Sequence, residues 1–252
     1  MALRPAHVNI KAVDPVAVGE FWAQALGWNA FHPGVTTYVG PRAELVWPDP
    51  DFLGIDIVPV PEPKTATTNR MRLELASSSS GHRAELLARL ERLGAKPVGA
   101  DRLGASCALL ADPEGNEFCV PGPQETGRDT GPISAVVMDC TDPPAMARFW
   151  GAAIDWPVVA VTGERATLRS GRGTGPDLTF VRVPGTTPIL DRLHLDLRPD
   201  TGDDQAAQAV RLRALGAADL DVGQGGDVSW ICLTDPDGHE LCVLAAPGGE
   251  PG

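Results

Sequence analysis

Three observations predict an α+β fold made of two tandem copies of one unit. The stretch Asp112-Pro-Glu-Gly-Asn-Glu-Phe-Cys-Val120 returns as Asp235-Pro-Asp-Gly-His-Glu-Leu-Cys-Val243. Other landmarks repeat in step with it. Asp14-Pro15 and Asp142-Pro143, Phe21-Trp22 and Phe149-Trp150, and Trp28 and Trp156 share a single offset, which shifts only where loops would fall. Within each copy, stretches that alternate apolar and polar residues are interleaved with stretches of helical spacing, so strands and helices occur together in both halves.

In the first copy, His7–Ala12 alternates like a half-buried strand. Pro15–Leu26 then places Val18, Phe21, Trp22, Ala25 and Leu26 at helical spacing, and Gly27 stops it. Short strands are expected around Thr36–Val39, Glu44–Trp47 and Gly54–Val58, before a proline-rich run from Pro59 to Pro63. Beyond that run Met71–Ala76 alternates again, and Gly81–Leu93 is an amphipathic helix ended by Gly94. Strands near Ser106–Leu110 and Glu117–Val120 complete the copy. The second copy repeats the order: strand Ser134–Cys140, helix Pro144–Ile154, strands Ala166–Arg169 and Leu178–Val183. Strand Arg192–Leu197, helix Asp204–Leu215 and strands Ser229–Leu233 and Glu240–Leu244 follow. The expected division is 1–122, a Gly/Pro-rich polar linker 123–132, 133–247, and a flexible tail 248–252.

A net charge of −12 over 252 residues argues against nucleic acid or an anionic membrane surface as partner, since both would repel the chain. No apolar run reaches the length of a membrane span, and the N-terminus has no signal-peptide pattern; the expectation is a cytoplasmic protein. Cys107, Cys119, Cys140, Cys232 and Cys242 lie in strand-like apolar stretches without metal-ribbon spacing, and read as free buried thiols.

The two Asp-Pro-x-Gly turns, the Phe-Trp pairs and His194-Leu-Asp-Leu197 resemble the vicinal oxygen chelate superfamily, which includes glyoxalases, bleomycin-resistance proteins and extradiol dioxygenases. The likeness covers nearly the whole chain twice and is greatest to tandem glyoxalase-like proteins. It implies paired βαβββ modules whose strands curl into an open cup with helices outside. In metal-using members, it further implies ligands on the first strands of two modules and four residues after the glycine of the turn. Taken copy by copy, those positions are His7, Arg72 and Cys119, then Ala135, His194 and Cys242. Arginine is a permanent cation and alanine has no donor, so both sets are incomplete and no cofactor is expected; a divalent metal is disfavoured, its alternative being a shifted set in which Glu117 or Glu240 joins His7 or His194 and Asp196.

Strand parity assigns the cup-facing residues. In the first copy these are His7, Asn9, Lys11, Arg72, Glu74, Glu117 and Cys119; in the second, Ala135, Val137, Asp139, His194, Asp196, Glu240 and Cys242. Glu117 and Glu240 are expected to pair with Arg72 or cap backbone N–H groups. Trp22, Trp150, Trp28 and Trp156 recur at matched positions and read as core, whereas Trp47 and Trp230 differ between copies and are site candidates, with Phe31, Tyr38 and Phe52 adding aromatic character to the first copy.

The leading expectation is a metal-independent small-molecule binding protein of the drug-sequestering type. His7, Lys11, Trp47, Arg72, Glu74, Glu117, Cys119 and Trp230 would line its ligand site, with Arg72 or Lys11 pairing an acidic group. The alternative is an enzyme of the same superfamily, a lyase, isomerase or oxygenase. There His194 would be a general base oriented by Asp196 or Glu240, although two residues along one strand put their Cβ atoms some 6–7 Å apart. With both copies in one chain, a monomer acting as a pseudo-dimer is expected, or else a homodimer.

Overall fold

The computed structural model describes residues 3–41, 53–99, 107–123, 130–185, 191–223 and 228–246. Four βαβββ modules follow one another. The first is β1 (Arg4–Ala12), α1 (Pro15–Leu26), β2 (Asn29–Phe31), β3 (Thr37–Gly40) and β4 (Gly54–Pro59). The second is β5 (Met71–Leu75), α2 (Ser80–Arg92), β6 (Lys96–Pro97), β7 (Cys107–Ala111) and β8 (Glu117–Pro121). The third is β9 (Ile133–Cys140), α3 (Pro143–Ile154), β10 (Val158–Val161), β11 (Arg165–Leu168) and β12 (Asp177–Arg182). The last is β13 (Leu193–Arg198), α4 (Gln205–Leu215), β14 (Ala218–Asp219), β15 (Ile231–Thr234) and β16 (Glu240–Val243). The expected strand at Glu44–Trp47 lies outside the described residues.

Capping residues set the helix ends. The Asp14 and Asp142 carboxylates accept from the N–H groups of Ala17 and Ala145, with proline in the first turn. Ser79, within the run Ser77–Ser80, caps α2 by accepting from the His82 N–H, so that run is a helix start. The glycine-rich stretch 171–175 is the turn between β11 and β12.

The strands form two open eight-stranded sheets in the orders β14-β15-β16-β13-β1-β4-β3-β2 and β10-β11-β12-β9-β5-β8-β7-β6. Each sheet joins a module from one half of the chain to a module from the other, through the antiparallel pairs β1 with β13 and β5 with β9. This corrects the copy-by-copy grouping of cup residues. His7 faces His194 and Cys242 across one sheet, while Arg72 and Cys119 face Ala135 across the other.

Within a half, the modules meet on the helix side. Phe21 and Trp22 of α1 pack on Phe118 of β8, with ring centroids 6.0 and 5.1 Å apart. Trp22 Nε1–H donates to Asp112 Oδ2 at 3.3 Å, and Trp150 Nε1–H to Asp235 Oδ2 at 3.1 Å. The aspartates that open the two repeated turns thus also anchor the recurring tryptophans, while their other oxygens cap the turns' own N–H groups. One continuous core contains both tryptophans and the apolar faces of both sheets.

The halves are tied at the point where the chain crosses between sheets. Arg70, just before β5, forms a two-pronged pair with Asp191, just before β13, at 3.0 and 2.8 Å, and donates to the carbonyls of Asp237 and Gly238. Its counterpart Arg192 reaches Glu114 of the first turn at 3.1 Å.

The expectation of five free thiols is corrected at Cys107 and Cys119, which are joined as a disulfide across the antiparallel pair β7 and β8. Cys140 remains a buried thiol, and burial pushes it up to about 12.

Candidate functional site

A cavity of about 810 Å³ occupies the cup of the β1 and β13 sheet. Strand register builds its floor. His7 lies opposite Asp196 and Asn9 opposite His194, while the parallel pairing of β1 with β4 sets Asp56 beside Asn9. Glu240 and Cys242 enter from β16, where Cys242 pairs with Asp196. The walls come from the proline-rich connection after β4, together with Val222, Trp230 and Leu244.

At one end Tyr38 stands edge-on to His7, with centroids 5.5 Å apart. Gly54 permits this, because a Cβ there would lie 2.8 Å from the Tyr38 ring and hydroxyl.

The ionisable groups alternate in sign along the floor. Lys11 Nζ donates to Glu240 Oε2 at 2.6 Å, and Glu240 Oε1 lies 3.3 Å from His194 Nδ1. His194 Nε2 lies 3.3 Å from Asp196 Oδ1, and Asp196 Oδ2 lies 3.8 Å from His7 Nδ1. Burial alone would lower the His194 pKa, but the hydrogen bond and charge of Asp196 and the charge of Glu240 outweigh it and raise it. Burial would raise the Asp196 pKa, yet the nearby His194 and His7 rings hold the carboxyl well below the usual carboxylate range. Asp56 is held above that range, first by burial and with Asp196 adding to it. The buried Asn9 Oδ1 and His7 Nδ1 have no hydrogen-bond partner.

Of the sequence-predicted site residues, Lys11, Trp230, His194, Asp196 and Glu240 line this cavity, with His7 packed against its floor. Arg72, Glu74, Glu117 and Cys119 belong to strands of the other sheet. Arg72 Nη1 donates to Asp139 at 2.7 Å and Cys119 is in the disulfide. Glu117 accepts from Lys64 and from the backbone N–H of Asn69, so its partners are a lysine and a backbone amide, not Arg72. Trp47 and Phe52 lie outside the described residues. Sequence reasoning missed Asp56 and Cys232. Asp56 lies in the alternating stretch Gly54–Val58, where parity applied to β4 would have found it. Cys232 is matched by Leu109 in the first copy, a difference between copies of the kind that singled out Trp230.

The glyoxalase-like domain model matches residues 7–121 and again 135–244. The chain belongs to the glyoxalase-like domain family. No curated protein matches it. Among solved structures, glyoxalase I from Zea mays superposes with a TM-score of 0.65 at 14% identity, covering 97% of this chain and 92% of that one. A putative dioxygenase from Bacillus subtilis does so with a TM-score of 0.62 at 15% identity, covering 98% and 86%. At such identities the likeness establishes the shared fold.

In this glyoxalase-like chain the superfamily's metal positions on one sheet are His7, His194 and Cys242. The gaps left by Arg72 and Ala135 therefore no longer argue against a metal there. The three residues nevertheless fail to converge. His194 groups with Asp196 and Cys242 within 4.8 Å, and His7 with Asp56 and Asp196, but among the described residues no such group contains both histidines. Asp196 sits between the two rings and engages each. The arrangement does not fit one ion held at all three positions.

Proposed function

We propose that the β1 and β13 cup sequesters a small molecule with an apolar body and a cationic, hydrogen-bond-donating head, and that protein side chains alone hold it. One observation carries this reading: the cations lining the cavity are already matched, whereas acceptors are not. Lys11 is paired with Glu240, Lys64 with Glu117 and Arg192 with Glu114. Asn9 Oδ1 lacks a partner, and burial raises the pKa of the half-buried Asp56 carboxyl, so a cation beside it would relieve the cost of its charge. Among the described lining residues an acid would find no lysine or arginine without a carboxylate partner, contrary to the expected role of Lys11 or Arg72. An amine would satisfy Asn9 and pair with the Asp56 carboxylate. The volume suits a drug-sized ligand, and Val58, Pro59, Val60, Pro63 and Leu244 offer apolar wall.

The test compares an amine with the carboxylate of matching body, by calorimetry and native mass spectrometry. The amine is expected to bind. Asn9→Ala and Asp56→Asn should each weaken it about tenfold or more, the worth of a charge-assisted hydrogen bond. Preference for the carboxylate, or full affinity in Asp56→Asn, would sink the proposal.

A second reading, an enzyme acting on a small metabolite, is favoured by the two carboxylates that flank His194 at 3.3 Å. The same geometry weighs against proton abstraction. Both ring nitrogens face carboxylates, Nε2 that of Asp196 and Nδ1 that of Glu240, and both favour the charged ring, whereas a general base needs an available lone pair. Conversion of a bound compound that disappears in His194→Gln would decide for the enzyme.

A further inference from the structure

The β15 and β16 hairpin carries a cluster that the ligand reading does not use. Cys232 and Cys242 are register partners on these antiparallel strands, and their sulfurs lie 3.3 Å apart. Glu240, two residues before Cys242 and on the same face, brings a carboxylate oxygen within 4.8 Å of both sulfurs. Cys242 and Glu240 line the cavity, and Cys232 is only half-buried, so the cluster can be reached. We propose that Cys232, Cys242 and Glu240 form a binding site for a thiophilic divalent cation of the zinc type.

The donor chemistry supports this. Two thiolates select a soft or borderline cation over magnesium or calcium. Tetrahedral coordination at about 2.3 Å per Zn–S bond places sulfurs roughly 3.8 Å apart, so this pair needs to open by only about half an ångström. Two thiolates and a carboxylate around a divalent ion leave one excess negative charge. Lys11, 2.6 Å from Glu240 Oε2, is placed to balance it. With three protein donors, the fourth position is left to a group from the cavity. Each thiol releases its proton to solvent on binding, so affinity falls as pH is lowered. The site shares Cys242 with the superfamily's metal positions but turns away from His7 and His194 toward Cys232 on the next strand outward, and it does not depend on the nature of the organic ligand.

The experiment is a Cd2+ titration of the reduced full-length protein, read by the ultraviolet thiolate-to-metal charge-transfer band, with Zn2+ as competitor. Reduction also frees Cys107 and Cys119, so Cys107→Ser serves as control. Expected are one equivalent bound, displacement by Zn2+, retention in Cys107→Ser, and loss of the band in Cys232→Ser and Cys242→Ser. Thiol labelling of the unmutated chain gives a readout that needs no variant: Cd2+ should protect Cys232 from alkylation. A band that survives Cys232→Ser, a band lost in Cys107→Ser, or equal labelling of Cys232 with and without Cd2+ would overturn the proposal.

Discussion

Asp196 is the residue on which the floor of the cup turns. It is buried, faces two histidines, and is the only residue shared by the two donor groups that contain a histidine among the described residues. A carboxylate in that position is tolerated because its partners stabilise the charge. Removing it would leave the buried His194 ring with Glu240 as its one remaining carboxylate neighbour among the described residues. Asp196→Asn is therefore expected to destabilise the protein by about 3 kcal/mol in denaturant unfolding. The pH dependence follows from the directions of the shifts. The depressed pKa of Asp196 contributes stability that is present above its unfolded value of about 4 and lost as pH falls through the folded value. The raised pKa of His194 contributes stability present below about 6.5 and lost as pH rises through its folded value. Asp56, whose pKa is raised, costs stability as pH climbs above about 4. Unfolding midpoints measured against pH should show the acid-side loss reduced in Asp196→Asn and the alkaline-side loss reduced in His194→Gln. A His194→Gln profile that parallels the parent would remove the histidine from this account. The sequence made the sharing of a face by His194 and Asp196 legible, but not their contact. Backbone spacing suggested separation, whereas the side chains bring Nε2 and Oδ1 to 3.3 Å.

At the scale of elements, helices with capping residues and strands with clear alternation were readable within a residue or two, save that β1 begins at Arg4, three residues before the expected His7. The short strands Asn29–Phe31, Lys96–Pro97, Val158–Val161 and Ala218–Asp219 were not. They lie at or next to sheet edges, where a few ladder bonds suffice and no buried face imposes an alternating pattern; Val158–Val161 is exposed throughout. The duplicated helices also differ at their ends in a way the repeat did not announce. α1 stops at Gly27 with φ of 69°, whereas α3 stops at Asp155 with φ of 56°, the only positive-φ non-glycine residue among those described. An L-residue pays about 1–2 kcal/mol in this region, while glycine gives back about 0.4–1 kcal/mol through the unfolded chain. Asp155→Gly should therefore stabilise the protein by roughly 0.5–1 kcal/mol, seen as a small rise in the thermal midpoint. A fall would mean that the Asp155 side chain does something at the cap that its backbone angles do not reveal.

At the scale of the molecule, four modules were legible but their pairing was not. The first strands of all modules alternate alike, so β1 could pair with β5 of its own half or with β13 of the other, and local pattern is indifferent between them. The choice depends on packing. Within a half, Phe21 and Trp22 of α1 hold Phe118 of β8 on the helix side, leaving β1 and β5 to find partners elsewhere. A two-fold relation between halves satisfies both edges at once, and Arg70 with Asp191 fastens the crossing. It follows that residues 1–122 expressed alone would leave one edge of β1 and one edge of β5 unpaired and should self-associate as a two-fold dimer, each β1 pairing with the β5 of a second copy. Light scattering should report twice the half-chain mass. The cups of that dimer would combine His7 with Arg72 and lack the His194 and Asp196 pair, so the amine that binds the full chain should not bind them. Co-expression with residues 130–247 should restore one copy of each half and the binding with it. A folded, monomeric half would show instead that the cup can close within a single copy.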